Sequence, residues 1–164
     1  MKVTVEKGED GSLDDLFSKF DSLDFIEIDA GFLTPNDIHP GTETPLTDIA
    51  YLQQYGSDHH MIPERPFISD GAVLSEEGII SALPTVFKNY LKLGKGMASF
   101  APIEKVSRES IAKAIAEQKF IKLSEKTLQI RREKGNHDTT ILIDEGYLIN
   151  GIDSKTVRRR SKKS

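Results

Sequence analysis

Apolar side chains recur at Leu13, Leu16, Phe17, Phe20 and Leu23, the spacing of one face of an α-helix, and Ser12 followed by Asp15 has the form of a capping box that starts it. The period then drops to two. Ile26, Ile28, Ala30 and Phe32 alternate with Glu27 and Asp29, so residues 24–33 read as a half-buried strand, expected in the middle of a sheet. Val3 and Val5 alternate with polar neighbours in the same way, which predicts a short edge strand over residues 1–7 ending at Gly8.

Pro35, Pro40, Gly41 and Pro45 interrupt both periods, and residues 34–44 read as an irregular loop. Thr44 can cap the next helix, Pro45 suits its first position, where a missing N–H does no harm, and the helix runs to Tyr55 and stops at Gly56. Then comes Ile62-Pro63-Glu64-Arg65-Pro66-Phe67-Ile68, in which each proline pushes the residue before it, Ile62 or Arg65, out of the α region. The strip is therefore expected to be extended. An extended segment carrying Ile62, Phe67 and Ile68 around a guanidinium cannot bury its apolar surface against itself, so it must lie on its own core or on a neighbouring subunit.

Ser75-Glu76-Glu77 is expected to open a further helix, with Ile79, Ile80, Leu83, Val86, Phe87, Tyr90 and Leu91 on its apolar face and Pro84 kinking or dividing it. Gly94-Lys95-Gly96 ends that helix and leads into a mobile connection. Pro102 suits the first turn of the next, which places Ile103, Val106, Ser110, Ile111, Ala114, Ile115 and Gln118 on one side. Ser124 caps a shorter helix through Arg131, Gly135-Asn136-His137-Asp138 forms a turn, Asp144 caps a helical turn through Leu148, and Ile152 to Val157 form a last strand. These elements predict an α+β fold: several helices packed on a small, mainly antiparallel sheet, with extended loops.

At 164 residues the chain has the size of one domain. Charge divides it further: Arg158, Arg159, Arg160, Lys162 and Lys163 give the last seven residues a formal +5, so the whole-chain −4 leaves −9 on residues 1–157. The expected organisation is a structural domain over 1–157 and a basic tail over 158–164, either solvated or in contact with DNA or an acidic surface. No run approaches the 18 or so apolar residues that cross a bilayer and no signal-peptide stretch is visible, so no membrane partner is expected and synthesis in the cytosol is. With no cysteine, disulfides, thiolate nucleophiles and most structural zinc sites are ruled out.

The remaining candidate chemistry is sparse. His39, His59, His60 and His137 lack a helical His-x-x-x-His pair, Gly94-Lys95-Gly96 is too short for a phosphate loop, and no Gly-x-Ser-x-Gly is present. His137-Asp138 is a single dipeptide in a turn. No catalytic, cofactor-binding or metal-ligating set is assigned.

The order of motifs says more. A helix ending in Tyr55-Gly56, then Ile62-Pro63-Glu64-Arg65-Pro66-Phe67-Ile68, then Leu123-Ser124-Glu125-Lys126-Thr127-Leu128 with Arg131, Lys134 and Gly135, then Leu142-Ile143-Asp144-Glu145-Gly146-Tyr147-Leu148-Ile149-Asn150-Gly151-Ile152, resembles the bacteriophage virion morphogenesis and tail-completion family. The resemblance covers about residues 47–157, and it departs from the family's pattern at Gln53-Gln54-Tyr55, at Glu145 (usually Thr) and at Gly151 (usually Ser).

This resemblance implies helices against a small sheet, no enzymatic activity, no cofactor, and a homo-oligomeric ring in the virion, at the neck or head-proximal end of the tail. Its partners would be further copies of the chain, other neck, connector or tail-tube proteins, and DNA in the lumen. Phe67 is then a buried anchor, Arg65 a two-pronged partner for a carboxylate, Pro63 and Pro66 stiffeners of the strip beside Ile62 and Ile68, Asp144 a cap, Gly146 a close-approach position, and Leu148 part of the last turn. The competing expectation from the residues alone is a nucleic-acid-contacting protein acting through Arg158, Arg159, Arg160, Lys162 and Lys163.

Overall fold

The computed structural model describes residues 13–35, 37–40, 42–94, 96–143 and 146–159. The strand expected at 1–7, the capping Ser12, Asp144 and the end of the tail, 160–164, lie outside them. Among the described residues the chain forms six α-helices and two strands, an α+β fold. These are α1 (Leu13–Asp21), β1 (Ile26–Gly31), α2 (Leu46–Tyr55), α3 (Phe67–Phe87), α4 (Ala101–Ala116), α5 (Glu125–Glu133), α6 (Tyr147–Asn150) and β2 (Asp153–Arg158).

α3 and α4 pack against each other as an antiparallel hairpin. Small residues let them approach: a Cβ on Gly71 would stand 2.6 Å from the Ile111 Cα, and one on Gly78 would stand 2.8 Å from Val106 Cγ1. Glycine at 71 and 78 with serine at 75 is thus a contact stripe, and Ser75 lies buried within α3 instead of opening it. The helix starts eight residues earlier than its composition predicts, because the cap from Gln54 and close packing on α4 hold its first turns. α3 also passes through Pro84 without division and widens only afterwards, into a π-turn over Lys88–Lys92. The expected mobile connection is replaced by a 3-10 turn, Gly96–Phe100, which buries Ser99 and Phe100 ahead of Pro102 in α4.

α4 lies across β1 and β2, which pair antiparallel from Ile26↔Arg158 to Gly31↔Asp153. Ile26, Ile28 and Ala30 face the core as their alternation predicts, but β1 has β2 on one side only, so it is not central to a larger sheet among the described residues. Two apolar clusters result, joined through α3 and α4. One gathers Val86, Tyr90, Phe100 and Ile103 at the start of α4; the other gathers Phe67, Ile111, Ile115, Ile141 and Leu142 towards its end. No helix among the described residues is long and apolar enough to cross a membrane.

Candidate functional site

The four stretches that carry the family resemblance are far apart in sequence, and the fold draws them onto the second cluster. Ala50 of α2, Phe67, Leu142, Leu148 and Ile152 are buried in it, with Leu123 and Ile68 packed at its edge. Its centre is the strip. Gly56 ends α2 at φ 68, and a Cβ there would stand 2.8 Å from both Glu64 N and Ile62 O, so the return of the chain needs glycine for conformation and for space. Ser57 and Ile62 then exchange two backbone hydrogen bonds of 2.8 and 2.9 Å around a turn whose tip, Met61, has φ 52 and is 86% exposed.

Residues 63–66 have no regular structure, and the strip is shorter than its prolines predict: Phe67 and Ile68 already belong to α3. Pro66 stands at the N-cap position and offers no side-chain cap. The cap comes from α2 instead. Ile68 N–H donates to Gln54 Oε1 at 2.8 Å, and Gln54 Nε2 donates to Ser69 Oγ at 2.8 Å. Gln54 is 4% exposed, so its amide meets an orphan donor of the helix end in a place closed to water. Next to it, Arg65 N–H donates to Gln53 O at 2.8 Å and Arg65 Nη1 donates to Gln53 Oε1. The dipeptide that departs from the family's pattern is therefore what grips the strip. We expect Gln54→Leu to destabilise the fold by about 1–3 kcal/mol, the cost of stranding a buried donor, with urea denaturation as the measurement.

Phe67 has no exposed surface and meets Phe32 edge-on, centroids 6.2 Å apart. Of the two places the strip could lie, it lies on its own core. Arg65 is buried too, yet its expected carboxylate partner is absent among the described residues: it bonds to the Gln53 amide, and its Nε has no partner. Burial and, next, the charge of Arg131 push the Arg65 guanidinium below its usual range. Two cations share this interior because Arg131 has other work. Its Nη1 donates to Asp138 O at 3.0 Å and to Thr140 O at 2.9 Å, fastening the loop after α5 to the body.

That loop is fastened a second time by Gln118, at the end of α4. Its Nε2 donates to Ile141 O at 2.7 Å while its Oε1 accepts from Ile141 N–H, as a neighbouring strand would. Within the loop, the side-chain and backbone hydrogen bonds from Thr140 hold the Asp138 carboxyl below its ordinary value. A depressed carboxyl contributes stability above its unfolded pKa and loses it as pH falls through the folded one. The Thr140 amide NMR shift is therefore expected to titrate with a midpoint below the ordinary Asp value of 3.8, and to lose that transition in Asp138→Asn.

In the closing motif, Leu148 is buried and α6 begins after Gly146, which has φ 80. Gly146 is there for its left-handed backbone. Its nearest neighbour would be the mobile end of Asn150 at 3.3 Å, so close approach is the lesser demand; crowding falls on Gly151, whose Cβ would stand 3.1 Å from Leu46 Cδ1. The last strand reaches into the expected tail: Arg158 belongs to β2, its Nη2 donates to Tyr90 Oη at 3.2 Å, and Arg159 pairs with Glu27 at 2.6 Å.

His59 and His60 stack at 4.8 Å on the exposed turn, His39 lies against Tyr147, and His137 is exposed. Among the described residues no three acidic or histidine side chains converge on a metal-sized point. Composition hides the roles of Gln53, Gln54, Gln118 and Arg131 in holding this cluster together, since a glutamine that caps a distant helix looks like any surface glutamine until the chain is folded. No family model, curated protein or solved structure matches this chain.

Proposed function

We propose that the chain is a structural component of a phage particle, not an enzyme, which assembles into a homo-oligomeric ring at the head–tail junction, completes or terminates the tail, and joins it to the head connector. The observation that carries this reading is the convergence of its four ordered motifs on one cluster around Phe67, Arg65 and Arg131. Motifs strewn along a chain that meet in space behave as parts of one fold, and the family they resemble builds such rings. The unpartnered apolar surface supports it as well. Leu13 and Phe17 are 67% and 61% exposed, Tyr51 and Tyr55 are 64% exposed each, and a chain that presents this much apolar surface has partners to bury it.

The tail cations contribute to the ring or face DNA in its lumen, but Arg158 and Arg159 are already engaged within the subunit. The test is size-exclusion chromatography with light scattering on the full chain, followed by negative-stain imaging. Closed rings, and labelling of virions between head and tail, are expected. A strict monomer, or labelling at the distal tail tip, overturns the proposal.

A further inference from the structure

Two helices stand apart from both apolar clusters. α1 buries no residue at all, and α5 buries only Arg131. Yet α1 has the cleanest helical stripe in the chain, with Leu13, Leu16, Phe17 and Phe20 between 38% and 67% exposed on one side. An amphipathic helix gains most of its stability from covering such a stripe, and these four side chains together present an area on the order of the few hundred Å² that marks an interaction site.

At the other end of α4 the situation is reversed. Between the end of α4, α5 and the loop after it lies a half-open cleft of about 470 Å³, at the small end of ligand-sized cavities. Leu123, Leu128 and Ile141 supply its apolar lining, and Lys122 and Glu125 stand among its polar residues. Ile121 and Ile130, 64% and 46% exposed, belong to the same segment. Apolar and polar side chains share its wall, and the described residues of its own chain leave it open.

The charges of the two regions are opposite. α1 holds Asp14, Asp15 and Asp21 against Lys19 alone, a formal −2. Around the cleft, Lys122, Lys126, Arg132 and Lys134 are exposed against Glu125 and Glu133, a formal +2, with Arg131 buried and Lys119 paired to Glu117. Opposed patches of this kind favour the encounter of one with the other and disfavour pairing of either with itself. They are also well separated. α1 packs near the π-turn and Tyr90, beside the start of α4, whereas the cleft lies past its end, and 16 helical residues span about 24 Å.

We infer that α1 of one copy docks in the cleft beside α5 of the next copy, with Phe17 and Phe20 in the apolar lining and the acidic flank of α1 facing Lys122 and Lys126. This inference rests on the ring reading and says which surfaces make the ring. A head-to-tail contact needs two different, complementary surfaces on one subunit, and these are placed near opposite ends of α4.

The cysteine-free chain allows a clean test. Chains carrying Phe17→Cys and differently tagged chains carrying Leu128→Cys are mixed, assembled and oxidised, then run on a non-reducing gel. A disulfide-linked pair that joins the two tags, formed in the mixture and by neither variant alone, is expected. Phe17→Asp, at an exposed position of a helix that buries none of its residues, should weaken association by about 30-fold or more while leaving the thermal melt of the subunit unchanged. Self-linked Phe17→Cys chains would mean an α1–α1 contact and overturn the inference. Rings that form without the mixed disulfide, or that survive Phe17→Asp, overturn it while leaving the ring reading intact. A wild-type chain that stays monomeric overturns both.

Discussion

Phe67→Ala is expected to destabilise the subunit by about 3–5 kcal/mol, seen as a lower urea midpoint with an unchanged slope. Phe67 has no exposed surface, and its ring fills the space between Phe32 and the Ile111–Ile115 side of α4. Truncation removes the transfer energy of the ring and leaves a void that the neighbours cannot close. Two of its walls are fixed: the backbone on its N-terminal side is tied by Arg65 to Gln53, and Ile68 on the other side is tied to Gln54. Against a typical total of about 5–15 kcal/mol, a loss of this size removes from about a fifth to nearly all of the stability margin. Phe67→Leu keeps most of the volume and should cost less than half as much. Equal effects of the two substitutions would mean that the ring is not the element that fills the cluster.

Gly71→Ala is expected to cost about 3 kcal/mol, the upper part of the range for overpacking a core, measured as a drop in the thermal midpoint. One added methyl would meet Ile111 Cα at 2.6 Å and Ile111 N at 2.9 Å, and a helix backbone cannot yield as a side chain does. The α3–α4 hairpin has to separate, and both clusters depend on it. Gly78→Ala provides the contrast. Its methyl meets only the Val106 side chain, with Cγ1 at 2.8 Å, and alanine gains roughly 0.8–1 kcal/mol of helix propensity over glycine, so the net change should be within about 1 kcal/mol of zero. A Gly71→Ala variant as stable as Gly78→Ala would show that the two helices are not held at this spacing.

Much of the fold is legible in the pattern of side chains. The α1 stripe, the alternation of β1, the Ser124 cap whose Oγ accepts from Thr127 N–H, and the last strand all fall where local periodicity and capping place them. These signals are local, and local propensity needs no partner to be read. The errors fall where a distant segment overrides them. Phe67 and Ile68 look extended because they close a strip whose prolines extend Ile62 and Arg65, but Gln54 from another helix supplies the cap that lets α3 begin at Phe67. Gly71 looks like a breaker because the reason for glycine is the backbone of Ile111, forty residues on. Arg65 looks like a partner for a carboxylate, and only the fold reveals an amide in its place and a second guanidinium close by.

By itself, the order of residues determined most of the helices and both strands among the described residues, that the sheet is small, and that an acidic body carries a basic end. Those properties follow from spacing and from counting charges. Only the tertiary structure decided that the proline strip belongs to its own core, that three glutamines and Arg131 bind the strip and the loop after α5, and that among the described residues the exposed apolar stripe of α1 and a half-open cleft lie near opposite ends of α4. The physical reason is the same in each case: burial and hydrogen-bond partnership are properties of pairs of distant residues, and a pair acquires them only when the chain has brought it together.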